Sequence, residues 1–143
     1  MTLVVATGTF DLLHPGHVLY LERSKALGDD LVVIVARDVN VRHKPKPILP
    51  EEQRRRMVQA LKVVDRAVLG EEKDIFRTVE QLRPDIITLG YDQHFDEEAL
   101  RAELLSRGLN CEVVRIEDSE PCPLCGSSRI VARILERFRG RRI

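Results

Sequence analysis

Two histidines three residues apart, His14 and His17, flank a Pro15-Gly16 pair at the end of the run Gly8-Thr9-Phe10-Asp11-Leu12-Leu13-His14-Pro15-Gly16-His17. Imidazoles so placed suit charge that builds on a phosphate and on a departing pyrophosphate, where positioned donors do most of the catalytic work. The run lies between a short apolar segment and a helical one, so it reads as a strand-to-helix turn. Gly8 lets a phosphate approach the backbone closely, and the helix N-terminus offers unpaired N–H groups to an anion. With the helix beginning near Pro15, both histidines stand one turn apart and address one point. A structural reading competes, in which His14 caps the helix and His17 packs. Nothing structural requires both histidines beside Pro-Gly.

Other residue clusters fall in later loops. Arg37-Asp38-Val39-Asn40-Val41-Arg42-His43-Lys44-Pro45-Lys46-Pro47 is basic and broken by prolines, so it is a loop. It suits an acceptor phosphate or is simply solvated. Glu51 and Glu52 open the next helix and are ordinary first-turn chemistry; Arg55 and Arg56 are expected to face solvent. Gly90-Tyr91-Asp92-Gln93 ends a strand with an acid, so Asp92 either meets a ribose or base edge or caps a helix, Asp96 being the stronger cap. Ser127 and Ser128 open the last helix as N-cap residues and also suit an anion. Just before them stand Cys122 and Cys125. One CxxC pair supplies half a zinc site and needs a second copy to complete it; a redox pair beside a helix N-terminus is the other reading.

The elements that position these groups are legible from periodicity. Leu3 to Ala6, Leu31 to Ala36, Ala67 to Leu69, Ile86 to Leu89 and Val113 to Ile116 are short continuous apolar runs, as in strands covered on both faces. Helical spacing appears over Val18 to Leu27, in the pairs Met57/Leu61 and Leu100/Leu104, in Ile75/Val79/Leu82, and in Ile130/Ile134/Phe138. Five strands alternating with helices predict an α/β fold: one Rossmann-like, doubly wound, five-stranded parallel sheet in a single domain over residues 1–143. Such sheets bind ligands beyond the carboxyl ends of their strands. The loops after strands one, two, four and five are where the unusual residues sit.

Composition bounds the partners. Of 143 residues, 43% are hydrophobic and 32% charged, with 23 basic side chains against 23 acidic, so no basic field invites nucleic acid. No run approaches a membrane span, and the N-terminus lacks a basic n-region. Three cysteines give no secreted disulfide framework, and Cys111 falls in an apolar strand. A cytoplasmic protein is expected.

The block GTFDLLHPGH resembles the signature of the nucleotidylyltransferase superfamily, in which HxGH follows a G-x-F-D turn. The resemblance spans nearly the whole chain and implies direct attack of an acceptor phosphate on a nucleotide α-phosphorus, with no covalent protein intermediate. It implies that His14 and His17 stabilise the transition state and that the backbone around Thr9 and Phe10 contacts the nucleotide. A lysine of the second loop (Lys44 in preference to Lys46) would bind triphosphate or acceptor, with Asp38 near the acceptor and Arg54 at the arginine of an E-x-x-R pattern. Asp92, Ser127, Ser128 and Arg129 would bind nucleotide. A divalent ion, expected to be Mg²⁺, would be held mainly by substrate phosphates, with no protein metal site. The strand end Ile34-Val35-Ala36-Arg37-Asp38, the Gly-x-Asp-Gln loop and the C-terminal cysteines with Ser-Ser look most like the archaeal FAD synthase family, which implies ATP and FMN as substrates. The resemblance further implies a homodimer, and cysteines kept reduced whose oxidation would disturb the phosphate loop. Tyr91, Phe95 and Phe10 are the aromatic candidates for a flavin ring. A cytidylyltransferase acting on CTP and glycerol 3-phosphate is the alternative, and an inert CxxC module predicts bound metal or a functional disulfide without pyrophosphate release.

Overall fold

The computed structural model describes residues 1–42, 45–119 and 121–141. Five strands, β1 (Leu3–Gly8), β2 (Asp30–Val35), β3 (Arg66–Leu69), β4 (Ile86–Gly90) and β5 (Glu112–Ile116), alternate with helices α1 (Pro15–Lys25), α2 (Glu51–Gln59), α3 (Arg77–Leu82), α4 (Glu97–Ser106) and α5 (Ser127–Arg137). The strands form one parallel sheet in the order β3-β2-β1-β4-β5. The predicted five-stranded parallel α/β sheet is therefore observed, and each predicted strand lies within about a residue or two of its place.

The chain winds both ways from β1, which makes β1 and β4 the switch point. Alternation along the strands divides the core. Val4, Ala6, Leu31, Val33 and Val35 pack with Leu21 of α1 and Val58 of α2 on one face. Val5, Val32, Ile34, Ile87 and Leu89 pack with Val79 of α3 and with Leu100 and Leu104 of α4 on the other. Burial on both faces explains why these strands read as continuous apolar runs. Cys111, a free thiol, is buried in the second cluster, and burial pushes its pKa up.

Helix α1 begins at Pro15, as the turn motif requires for both histidines to address one point, because proline is well suited to the first helical position. Two helical readings need correction. In α2 the inward face carries Arg54 and Val58, while Met57 is 51% exposed; an arginine in the core displaces the apolar stripe read from Met57. Ile75 precedes α3 and is exposed. The Ile130/Ile134/Phe138 face does form on α5, yet no α5 residue is buried, and Ile134, Leu135 and Phe138 are exposed.

Candidate active site

The catalytic candidates are set by local geometry in the first βα turn. His14 is the N-cap of α1: its Nδ1 accepts from Gly16 N–H at 3.1 Å, and His17 Nδ1 accepts from His14 N–H at 3.3 Å. The two imidazoles stack with centroids 3.8 Å apart. Thus the capping role of His14 and its proximity to His17 hold together. Because each Nδ1 accepts a hydrogen bond, the neutral rings carry their protons on Nε2. Burial outweighs the attraction of Asp92 and lowers the pKa of His14, which keeps that ring neutral near pH 7.

Two glycines shape this turn, for a reason the sequence did not disclose. A Cβ on Gly8 would lie 2.8 Å from the Phe10 ring, and one on Gly16 would lie 2.8 Å from the His14 ring. The neighbour crowding Gly8 is an aromatic side chain of the protein itself. Phe10 adopts φ +53°, a region that non-glycine residues seldom occupy. Its ring is buried against His17 and Tyr20, with centroids at 5.4 and 6.3 Å. Beneath them the Tyr20 hydroxyl donates to Thr88 O at 2.8 Å and accepts from Thr7 N–H at 3.2 Å, joining α1 to both switch-point strands. Burial pushes this phenol up to about 12.

A cleft of about 520 Å³ opens over the turn. Of the expected site residues, Thr9, Phe10, His14, His17, Lys46, Asp92, Ser127, Ser128 and Arg129 line it. Gly126 caps α5 without a side-chain hydrogen bond, so Ser127 and Ser128 are the first helical residues and not the N-cap. The N-termini of α1 and α5 converge, since a Cβ on Gly16 would stand 3.8 Å from Cys125 Cβ. The uncapped N–H groups of α5 thereby face the cleft beside the α1 N-terminus, whose Gly16 N–H is taken by His14 and whose dipole still favours an anion. Asp96, with Oδ1 accepting from Glu98 N–H and Ala99 N–H, caps α4, leaving Asp92 on the cleft wall.

Arg54 sits deeper than an acceptor-binding group would, while its partner Asp38 stays part-exposed. The Arg54 side chain is fully buried. Its Nε donates to Leu49 O at 2.9 Å, its Nη1 to Thr9 O and Ala36 O at 2.7 and 2.9 Å, and its Nη2 to Asp38 Oδ1 at 2.6 Å. The guanidinium fork is thus filled by the protein, and it fastens the loops after β1 and β2 together. Lys46 Nζ donates to Asp38 O at 2.7 Å and Val41 O at 3.2 Å. Lys44 lies outside the described residues.

Three residues that sequence reasoning passed over complete the frame. Asp11 accepts from Ile48 N–H and Leu49 N–H at 2.8 and 2.9 Å. Glu51 takes the guanidinium of Arg37 and the amide of Asp38, so this first-turn acid has a positioning use. Arg115 donates to Gly90 O at 2.8 Å, Gln93 O at 3.1 Å and Phe95 O at 2.5 Å, and also pairs with Glu97. It gathers the loop that carries Tyr91, Asp92 and Gln93. Asp11 stood in the quoted turn motif, and that was the available signal; Arg115, inside an apolar strand, gave none.

Cys122 and Cys125 are joined as a disulfide, their Cα atoms 5.3 Å apart, where reduced thiols were expected. The bridged turn also holds Cys125 N–H on Cys122 O, and Arg129 Nη1 donates to Cys122 O at 3.3 Å. Ser127 to Arg129 line the cleft beside this bridged turn. Among the described residues, no group of three or more His, Cys, Asp or Glu is arranged to hold a metal, and no helix is long and apolar enough to cross a membrane.

A switch-point cleft with stacked HxGH imidazoles and two converging helix N-termini defines a nucleotidylyltransferase. Residues 5–133 match the cytidylyltransferase-like family, and the chain belongs to it. It is similar to the FAD synthase of Archaeoglobus fulgidus, with 62% identity over 96% of this chain and 100% of that one. It is similar also to the FAD synthase of Methanothrix thermoacetophila, with 67% identity over 95% of each. Among solved structures, a lipopolysaccharide core biosynthesis protein from Thermoplasma volcanium superposes with a TM-score of 0.81 at 50% identity, over 84% of this chain and 99% of that one.

Proposed function

We propose that the chain is an FMN adenylyltransferase, making FAD and pyrophosphate from ATP and FMN. The observation that carries the chemistry is the pair of stacked imidazoles, each turned by a backbone N–H onto its Nδ1. The likeness to FAD synthases carries the choice of substrates. A phosphate oxygen of FMN attacks the α-phosphorus of ATP. The bond from that phosphorus to the bridging oxygen breaks, and pyrophosphate leaves with the electron pair. His14 and His17 donate through Nε2 to the phosphate oxygens where charge accumulates, and the N-termini of α1 and α5 with Arg129 hold the triphosphate. Thr9 and Phe10 meet the nucleotide through backbone, Asp92 meets its ribose or base edge, and Lys44 and Lys46 serve the phosphates from the second loop. A magnesium ion would arrive held by the substrate phosphates and neutralise their charge; the anion-binding helix ends fit phosphates that bring their own cation.

A second copy of the chain is the proposed cover for the exposed Ile134/Phe138 face of α5, giving a homodimer whose mass light scattering would measure. A cytoplasmic location belongs to the same proposal, in keeping with ATP and FMN as substrates. The reaction itself is tested by incubating protein, magnesium, ATP and FMN and quantifying FAD and pyrophosphate, with His14→Ala and His17→Ala alongside. One-to-one products from the unaltered chain, falling by about a hundred-fold or more in each variant, are expected. Full turnover in either variant would remove that histidine from the mechanism.

A further inference from the structure

We propose that Pro45, Pro47 and Ile48 form the subsite for the apolar part of a flat ring system on the acceptor, the dimethylbenzene end of the isoalloxazine under the FMN reading, on which this inference rests. All three residues line the cleft, and Ile48 is 63% exposed. Its position is set from behind: Asp11 accepts from the Ile48 and Leu49 N–H groups, while the Lys46 ammonium is held on Asp38 O and Val41 O. An apolar strap is therefore fixed beside the catalytic turn through Asp11, three residues before His14.

The rest of the cleft argues for the same division. Phosphates go to the α1 and α5 N-termini, and the wall beyond β4 and β5 is polar, with Asp92, Gln93, Asp118 and Ser119. That wall suits a hydroxyl-bearing ribose and a base edge. On the other side of His14 the strap offers two proline rings and an isoleucine, with the Lys46 ammonium taken by Asp38 O and Val41 O and the Asp11 carboxylate by the Ile48 and Leu49 N–H groups. An acceptor phosphate beside His14 attacks from the side opposite the leaving pyrophosphate, and its ring then extends toward the strap. The aromatic candidates do not compete for this role: Phe10 is buried, Phe95 lies off the cleft wall, and Tyr91 stands on the nucleotide side after β4.

The test titrates FMN into the full chain by flavin fluorescence and measures KM for FMN and for ATP, using Ile48→Asn and the milder Ile48→Ala. Because Ile48 is exposed, both variants should melt within about 2 °C of the unaltered chain. The expected result is a loss of FMN affinity of about ten-fold in Ile48→Asn, with KM for ATP within two-fold. FAD production by the unaltered chain with unchanged FMN affinity in both variants overturns the strap subsite and leaves the function standing. An unaltered chain that neither binds FMN nor makes FAD overturns both.

Discussion

Replacing Arg54 by Met should destabilise the fold far more than it disturbs substrate binding. The side chain is fully buried, and its guanidinium holds the carbonyls of Leu49, Thr9 and Ala36 at 2.7–2.9 Å besides the Asp38 carboxylate at 2.6 Å. Methionine can fill the stem but leaves three carbonyls without their donor, at about 1–3 kcal/mol each when buried. The Asp38 carboxylate is 42% exposed and regains water cheaply. Partial relaxation and non-additivity bring the total to about 4 kcal/mol. With an unfolding entropy of about 2.1 cal/mol/K per residue, a chain of 143 residues loses about 13 °C in Tm. Arg54→Lys keeps the charge without the fork and should fall between. The assay is thermal melting by circular dichroism, paired with KM for ATP and FMN at a temperature where the variant is folded. A variant that melts within about 3 °C of the parent but shows a ten-fold higher KM for FMN would refute the reasoning and make Arg54 an acceptor-binding residue.

Three further outcomes follow from the same geometry. Gly16→Ala puts a Cβ 2.8 Å from the His14 ring, so kcat should fall by about ten-fold or more as the imidazole is displaced; an unchanged single-turnover rate would contradict this. Arg115→Met releases three loop carbonyls, and KM for ATP should rise by about ten-fold with a smaller change in kcat. The pKa of His14 is lowered by burial, so below its ordinary value the unfolded chain binds the proton more readily and stability falls as the pH drops. Protonation of Nδ1 would also break the bond from Gly16 N–H. Melting from pH 7.5 to 5 should therefore fall less in His14→Asn, whose amide oxygen keeps the cap; parallel curves would count against it.

The strands and their order of appearance could be read from the sequence because burial on both faces writes itself as continuous Val, Ile and Leu. The glycine-histidine turn was legible for a similar reason, since its residue types have few other uses at that spacing. Arg54 and Arg115 were misplaced or missed because their partners are mostly backbone carbonyls, which carry no residue identity, and an arginine in a core contradicts the hydrophobic stripe used to find one. The phase of α2 failed with Arg54. The α5 stripe was correctly helical, but periodicity locates an apolar face without saying what covers it. Gly8 read as room for a phosphate, whereas its crowding partner is Phe10 and that of Gly16 is His14, contacts that only the folded turn creates.

The most direct test of nucleotide transfer to FMN is a single competition. The reduced, magnesium-supplied chain receives equal ATP and CTP together with equal FMN and glycerol 3-phosphate, and the products are resolved by mass. FAD as the dominant product, with pyrophosphate in equal amount, is the predicted result. CDP-glycerol in its place would keep the histidine chemistry and contradict the assigned substrates.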